Sequence, residues 1–356
     1  MGDAQRQDGG RLRGGPGRRR TRRFVEAVAL VAVVATAGVL AACAPMPPPT
    51  PTPTTVVPDA GTGKVPGAGV VPSGGCTSPT ATPYPAGRTL VQFPWEGGHR
   101  LVIVDVPAGG ADVTSGPRGV LLSLHPFTLE PGVWDQYSGL GAAGSARGYV
   151  VLTPLGSQPG PRWAVPGGLE TGVDDIGFVA ALLDSVLGRN CIDRNRQFAA
   201  GFSAGAAMAQ ALSCTLPGRM AAVAGSGGTN LTSLCPDSPG TGVMVLHGSA
   251  DPIAPVTGST VPFAPPLGLA VDAVVATDAA RADCSPVPVS VQVAPTLVID
   301  RYPGCADGRK VEYWRMLGSG HTWAGAAPII DFIVGPTNTD FSATTAVLDF
   351  FDHQAA

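Results

Sequence analysis

The order of hydrophobic and polar positions predicts strands that alternate with helices over most of the chain. Two alternating runs, at residues 88–93 and 100–106 on either side of Gly97 and Gly98, predict an antiparallel pair of strands. Later apolar runs are short and continuous, as in strands that a parallel sheet buries on both faces; they cover residues 120–125, 149–153, 197–200, 221–224 and 243–247. Helical spacing of apolar residues predicts helices over residues 133–147, 173–187, 204–213, 271–281 and 341–353.

This alternation indicates an α/β fold with a mostly parallel central sheet and helices on both of its faces. The connections between parallel strands are expected to be right-handed. Ligands of such sheets bind beyond the carboxyl ends of the strands. Candidate chemistry is therefore to be sought among polar residues that directly follow the predicted strands.

The first 42 residues have the pattern of an export signal. A basic run at residues 18–23 precedes an apolar run at residues 27–42, which ends in Leu40-Ala41-Ala42-Cys43. That ending resembles the bacterial lipobox, in which a peptidase cleaves before a lipid-modified cysteine. The alternative is a transmembrane anchor, but the apolar run is shorter than the roughly 20 residues that span a bilayer. We predict a lipoprotein signal peptide over residues 1–42 and an exported protein held at the membrane through Cys43.

A tether is predicted to follow, over residues 43–87. The stretch from Ala44 to Pro85 carries 12 of the 36 prolines, with Thr and Gly between them. Such a composition cannot bury a core and favours extended conformations. The main folded domain is expected over residues 88–356, with Cys76 as an alternative start of the folded part.

Composition and charge exclude one class of partner. The chain is 44% hydrophobic and only 14% charged, and its net charge is −3. Eight of the 23 basic residues but three of the 26 acidic ones precede Cys43, which leaves a formal charge of −8 on the remainder. A body that acidic, with Lys64 and Lys310 as its only lysines, does not offer the basic surface that nucleic acid requires.

Cysteine usage predicts disulfides. Apart from Cys43 the chain has six cysteines, an even number in a chain that we expect to be exported: Cys76, Cys191, Cys214, Cys235, Cys284 and Cys305. The closest two are 21 residues apart, whereas zinc sites use pairs two to four residues apart. We therefore expect no metal site, and nothing in the sequence calls for a cofactor.

The segment Gly201-Phe202-Ser203-Ala204-Gly205 matches the pattern G-x-S-x-G. It joins a predicted buried strand to a predicted helix without a gap, which is the setting of a nucleophile elbow. The sharp turn requires small residues two positions before and two positions after the serine, and Gly201 and Gly205 meet that requirement. A serine that merely caps the helix is the alternative. We predict Ser203 as a nucleophile, with the helix amino terminus behind it favouring negative charge.

A serine nucleophile needs a base and an acid, which follow it along the chain in α/β-hydrolases. Among the five histidines, His321 has the expected position, since it follows a strand-like run at residues 311–316 and lies in a glycine-rich loop. Asp251 follows the predicted strand at residues 243–247 by a few residues, at another strand end. A surface-loop histidine and a turn aspartate before Pro252 are the alternatives.

Together these segments resemble a known family. Residues 201–205, Leu-His-Gly-Ser-Ala-Asp-Pro at 246–252 and Gly-His-Thr-Trp-Ala-Gly at 320–325 are similar to motifs of the secreted polyhydroxybutyrate depolymerases and feruloyl esterases. The resemblance covers roughly residues 88–353. It implies the α/β-hydrolase fold and ester hydrolysis, with Ser203 as nucleophile, His321 as general base and Asp251 as the acid that orients it.

The chain departs from that family at the loop expected to stabilise the oxyanion. Family members usually carry His-Gly after the third strand, where this chain has His125-Pro126. Proline has no N–H to donate. The resemblance places the second donor at the next residue, so the backbone N–H groups of Ala204 and Phe127 are the expected oxyanion hole.

The six cysteines allow 15 pairings, and the residues alone do not select one. Proximity and the family resemblance favour Cys284–Cys305, across a hairpin before the His321 strand, and Cys214–Cys235 after the nucleophile helix. Cys76–Cys191 then remains by elimination.

Trp163 and Trp323 are candidates to line the substrate site, because each lies in a loop near a predicted catalytic strand end and offers an aromatic surface. Ordinary packing in the core is the alternative for both tryptophans.

Two classes of function remain open. The first is a lipid-anchored serine esterase that acts through an acyl-enzyme on short-chain or aryl esters of the feruloyl or acetyl type, including esters linked to a carbohydrate. Hydroxybutyrate oligomers are its alternative substrate, and transfer of the acyl group to an envelope sugar would use the same residues. The second is a non-catalytic envelope-binding lipoprotein, which Pro126 favours. The sequence does not predict an oligomeric state.

Overall fold

The computed structural model describes residues 69–168, 172–258 and 268–354, all of which belong to one compact unit. The predicted signal peptide, the lipid-attachment residue Cys43 and most of the predicted tether lie outside the described residues. In the described ranges, none of the helices has the length and apolar character needed to cross a bilayer.

A single ten-stranded sheet organises the described residues, in the order β1-β2-β4-β3-β5-β6-β7-β10-β9-β8. The six central strands of this order are parallel to one another: β4, β3, β5, β6, β7 and β10. The two strands at each edge, β1 and β2 on one side and β9 and β8 on the other, pair antiparallel. The bounds are β1 (Gly87–Trp95), β2 (Gly98–Val106), β3 (Arg118–Leu124), β4 (Tyr149–Pro154), β5 (Ile192–Phe202), β6 (Ala222–Ser226), β7 (Gly242–Gly248), β8 (Val289–Ala294), β9 (Leu297–Tyr302) and β10 (Val311–Met316).

Helices connect the parallel strands and cover both faces of the sheet. They are α1 (Pro131–Ser138), α2 (Leu140–Ala146), α3 (Asp175–Arg189), α4 (Ala204–Thr215), α5 (Val271–Arg281), α6 (Asp331–Val334) and α7 (Ala343–Asp352). The single helix expected over residues 133–147 is two helices, because Gly139 adopts the left-handed conformation (φ 69°) that ends α1. The short helix α6 was not predicted.

The two faces of the sheet carry separate apolar layers. Leu121 and Leu122 are neighbours in β3 and are both fully buried, but they point to opposite faces and belong to different layers. One layer contains side chains of α3, α4 and α5, such as Phe178 and Met208. The other contains side chains of α1, α2 and α7, such as Trp134. Burial on both faces explains why the central strands are continuous apolar runs in the sequence.

The end of the predicted tether is attached to the domain at the start of β5. Pro72 forms a β-bridge with Asp193, and the Ser73 N–H donates to the Ile192 carbonyl at 2.8 Å. Cys76 is disulfide-bonded to Cys191. The folded part therefore begins before residue 88, close to the alternative start at Cys76, because backbone hydrogen bonds and a disulfide hold this segment in place.

The other two disulfides are Cys214–Cys235 and Cys284–Cys305, so all three bonds join the expected pairs. Beside Cys214 lies a buried ion pair, in which the Arg281 guanidinium donates to the Asp278 carboxylate at 2.8 Å. Gln210 of α4 donates to the same carboxylate at 2.9 Å. This network links α4 and α5 near the disulfide.

Candidate active site

The turn between β5 and α4 presents Ser203 at the carboxyl edge of the sheet. Ser203 has φ 55° and ψ −119°, a conformation that costs energy and that the surrounding structure must maintain. A Cβ atom on Gly201 would lie 2.4 Å from the Gly205 carbonyl, and one on Gly205 would lie 2.0 Å from the Leu124 carbonyl oxygen. Only glycine fits at either position, so the close packing of this turn explains the G-x-S-x-G pattern.

The three residues expected to act together form one hydrogen-bonded chain. The Ser203 hydroxyl lies 2.8 Å from Nε2 of His321, and Nδ1 of His321 lies 2.8 Å from Oδ2 of Asp251. Because the carboxylate can only accept, Nδ1 carries the proton and Nε2 accepts from the serine hydroxyl. The exposed fractions are 9% for Ser203, 7% for His321 and 5% for Asp251. All three residues are thus almost entirely buried.

The turn after β7 holds the Asp251 carboxylate through backbone groups. Its Oδ1 accepts hydrogen bonds from the N–H groups of Ile253 and Ala254, both at 2.8 Å. Burial opposes ionisation, but the hydrogen bond and charge of His321, together with the Ala254 N–H, lower the pKa of Asp251 below its usual value. Asp251 is therefore anionic and oriented at neutral pH.

A second histidine, His247, lies on the far side of Asp251. It is fully buried at the end of β7, its Nε2 donates to the Ala254 carbonyl at 2.7 Å, and it lies 3.6 Å from Oδ2 of Asp251. Burial lowers the pKa of His247, so the ring is neutral. Its contact with Ala254 closes the Asp251 turn. The sequence showed only a histidine in an apolar strand, which did not indicate this contact.

Two glycines after β6 complete the wall around the hydrogen-bonded chain. A Cβ atom on Gly228 would lie 2.0 Å from the Ser203 carbonyl oxygen. Gly227 has φ 62°, and a Cβ there would lie 3.2 Å from Nδ1 of His321. These glycines were not predicted to belong to the site; the signal that could have indicated them is a glycine pair directly after a buried strand.

The expected oxyanion donors lie on two adjoining segments. The carbonyls of Leu124 and His125 pack against Gly205, which brings the loop that follows β3 next to the start of α4. Within the part of the chain that the structure describes, the N–H groups of Ala204 and Phe127 donate to no protein acceptor. An oxyanion hole requires unpaired backbone donors of this kind.

Trp163 and Trp323 do not line the site as expected. They are 2% and 1% exposed, so neither offers a surface to a substrate. The indole of Trp163 donates to the His125 carbonyl at 2.9 Å and packs on the His125 ring, with centroids 4.8 Å apart. The indole of Trp323 donates to Thr344 at 2.9 Å. Both tryptophans are packing residues, the alternative that the sequence left open.

Comparisons with known proteins agree with this geometry. No family model matches the chain. The chain is 29% identical over 269 residues to NocK of Nocardia uniformis subsp. tsuyamanensis, which carries a provisional esterase name, over 68% of this chain and 76% of that protein. It is 32% identical over 129 residues to feruloyl esterase B of Piromyces equi, over 36% of this chain and 24% of that protein. It is 30% identical over 113 residues to feruloyl esterase D of Neurospora crassa, over 30% of this chain and 39% of that protein.

The match thus spans about a quarter of the Piromyces protein and two fifths of the Neurospora protein. Among solved structures, the acetyl xylan esterase from Aspergillus awamori aligns with a TM-score of 0.54 at 16% identity, over 75% of this chain and 100% of that one. That likeness confirms the predicted fold. The chain thus has the α/β-hydrolase fold, and it is similar in sequence to proteins named feruloyl esterase, as its motifs predicted.

Proposed function

We propose that the protein is a serine esterase that hydrolyses carboxylic esters through an acyl-enzyme. The observation that carries this proposal is the hydrogen-bonded chain from Ser203 through His321 to Asp251, with 2.8 Å at each step. A hydroxyl, an imidazole whose acceptor nitrogen faces it and a buried carboxylate that orients the imidazole form a nucleophile, a base and an acid arranged for nucleophilic attack.

In the proposed reaction, the Ser203 oxygen attacks the ester carbonyl while Nε2 of His321 takes the hydroxyl proton. The negative charge that forms on the carbonyl oxygen is stabilised by the N–H groups of Ala204 and Phe127. When the carbon–oxygen bond of the ester breaks, Nε2 of His321 returns the proton to the leaving alkoxide. Water then attacks the acyl-enzyme with His321 again as base, and the carboxylic acid and free Ser203 are released.

Asp251 supports both steps without exchanging a proton. It holds His321 in the tautomer with the proton on Nδ1, so that Nε2 is free to accept, and it stabilises the imidazolium that forms. The two backbone hydrogen bonds to Oδ1 fix the carboxylate in the required orientation.

The decisive test is replacement of the nucleophile. Ser203→Ala removes one oxygen atom at an almost buried position and is expected to leave the fold intact. Turnover of p-nitrophenyl acetate should fall by several orders of magnitude, because loss of any member of such a unit removes nearly all of its effect. Turnover that survives in a folded Ser203→Ala protein would sink the assignment, and absence of turnover in the wild type would favour the non-catalytic binding protein.

For the substrate, we propose a short-chain or aryl ester of the acetyl or feruloyl type. Its support is the sequence similarity to proteins named feruloyl esterase. The burial of Trp163 and Trp323 removes the aromatic contacts that were expected to favour an aryl group. Values of kcat/KM for methyl ferulate, p-nitrophenyl acetate, p-nitrophenyl palmitate and a hydroxybutyrate trimer distinguish the candidates, and a preference for palmitate would replace this proposal by a lipase.

For the location, we propose export and attachment to a membrane through a lipid on Cys43. The three disulfides suit an oxidising compartment. The docked segment at residues 69–76 contacts the start of β5, whereas Ser203 follows its end, so a tether would leave the domain at the edge opposite to the site. Mass spectrometry of the mature amino terminus tests this proposal, and an unmodified Cys43 in membrane-free protein would refute it.

A further inference from the structure

The imidazole of His125 is fully buried in the loop that follows β3 and carries Phe127. The Gly156 N–H donates to Nε2 of His125 at 2.9 Å, and Nδ1 lies 2.8 Å from the carbonyl oxygen of Pro126. Because a backbone N–H can only donate, Nε2 is the unprotonated nitrogen. The proton is therefore on Nδ1, which donates to the Pro126 carbonyl.

This contact, together with a longer hydrogen bond from the Leu129 N–H to the same carbonyl at 3.4 Å, fixes the plane of one peptide group. Among the described residues only Gln158–Pro159 is a cis peptide, so the Pro126–Phe127 peptide is trans. In a planar trans peptide the carbonyl and the following N–H point in opposite directions. A carbonyl of Pro126 held by His125 thus leaves the N–H of Phe127 directed away from His125, toward the other side of the loop.

The His125 ring is itself held by Trp163 on one face and by hydrogen bonds at both ring nitrogens. Trp163 packs on its face with ring centroids 4.8 Å apart, and the Trp163 indole donates to the His125 carbonyl. The same carbonyl lies against Gly205, next to the elbow that carries Ser203. A ring fixed in this way transmits its position to the Pro126 carbonyl with little freedom.

We propose that His125 is a positioning residue, which orients the Phe127 N–H toward the oxyanion by holding the Pro126 carbonyl. This proposal rests on the proposed function, since it assumes that an oxyanion forms beside Ser203. Because Pro126 has no N–H, the donor has to be Phe127, and His125 holds the peptide group that carries the Phe127 N–H. The residue does not touch the substrate and acts only through the peptide plane.

Two substitutions separate orientation from packing. In His125→Asn the side-chain amide nitrogen reaches about the position of Nδ1 and can still donate to the Pro126 carbonyl. In His125→Gln the longer amide reaches about the position of Nε2, so it can pair with the Gly156 N–H but does not hold the Pro126 carbonyl.

If His125 orients the Phe127 N–H, His125→Asn should keep kcat for p-nitrophenyl acetate within about tenfold of wild type. In His125→Gln, kcat should fall by roughly a hundredfold, which is near the effect of removing one oxyanion donor. KM should change little in either, because the interaction develops in the transition state. Equal kcat values in the two folded variants, a loss confined to KM, or a larger loss in His125→Asn would overturn the proposal.

A measurement on the wild-type protein covers the case in which the variants fail to fold. NMR of protein labelled with nitrogen-15 in histidine should show that the histidine in contact with Trp163 keeps its proton on Nδ1 across the neutral range. The opposite tautomer would overturn the proposal. If esterase activity survives in Ser203→Ala, the proposed function fails instead, whatever the behaviour of His125.

Discussion

Replacing Asp251 by asparagine should nearly abolish turnover while leaving the fold unchanged. The reason lies in how the two carboxylate oxygens are used. Oδ1 accepts from the N–H groups of Ile253 and Ala254, and Oδ2 accepts from Nδ1 of His321. In the variant, the amide oxygen must face the N–H groups of Ile253 and Ala254. The flipped amide would place its NH₂ group 2.8 Å from these two donors, which cannot accept a hydrogen bond.

The amide NH₂ then faces Nδ1 of His321, which becomes an acceptor. The imidazole has to place its only proton on Nε2, the nitrogen that should accept from Ser203. The base is thereby lost although every heavy atom keeps its place. A tautomer change of this kind reduces kcat by about 10⁴-fold, equivalent to about 5 kcal/mol of transition-state stabilisation.

The assay measures kcat for p-nitrophenyl acetate at about pH 7.5, which is roughly one pH unit above the ordinary histidine pKa. The free energy of unfolding is measured in urea for the same proteins. Asp184→Asn is the matched control, because that aspartate is exposed on α3 and, among the described residues, forms an ion pair with Arg219 alone. A loss of less than tenfold in the folded Asp251 variant would refute the tautomer argument. A loss in the control as well would point to a general effect of the substitution.

Three further predictions concern stability. Burial lowers the pKa of His125 to about 4 although the Pro126 carbonyl opposes it. Between about pH 6.5 and pH 4, this histidine therefore binds a proton in the unfolded chain but not in the folded protein. The free energy of unfolding should fall by up to about 3 kcal/mol as the pH decreases through this window. The fall should be smaller in His125→Asn, which lacks the titrating ring. Replacing Cys76 and Cys191 together by serine opens a bond between residues 115 apart, which should cost roughly 4 to 5 kcal/mol in urea unfolding without lowering kcat. Burial raises the pKa of Asp278 to about 6, although the charge of Arg281 opposes this. At a pH about two units higher, Asp278→Ala should lower the free energy of unfolding by about 3 to 5 kcal/mol, because Arg281 stays buried without its carboxylate. A loss below about 1 kcal/mol would contradict this.

The central strands and the three side chains of the hydrogen-bonded chain were predictable because each has a local signal. Buried parallel strands are continuous apolar runs, and the nucleophile elbow needs glycine at two fixed positions, since a Cβ on Gly201 or Gly205 would overlap backbone atoms. His321 and Asp251 each follow a strand end, and parallel strands bring their carboxyl ends to one edge. Order along the chain and sheet geometry were then enough to place the three residues together.

Two of the features that were missed lack such a signal. Strand β8 is an edge strand whose side chains are mostly exposed, so the sequence has no burial pattern to reveal it. The break between α1 and α2 depends on the left-handed conformation of Gly139, and a glycine within a helical pattern does not by itself show its φ. The tryptophans were misjudged because proximity in sequence to a catalytic strand end does not show whether an indole points into the core.

Three histidines lie near the carboxyl edge of the sheet, and their hydrogen-bond partners separate their roles. His125 and His247 are fully buried, and each uses a ring nitrogen to hold a backbone carbonyl, that of Pro126 or Ala254. A ring whose proton is committed to a carbonyl cannot shuttle it. His321 alone places one nitrogen against a carboxylate and the other against a hydroxyl. Order along the chain was enough to select His321 as the expected base. Because the carbonyl partners of His125 and His247 belong to the backbone, residue types in a sequence do not reveal them, and the supporting contacts of these two rings become visible only in the fold.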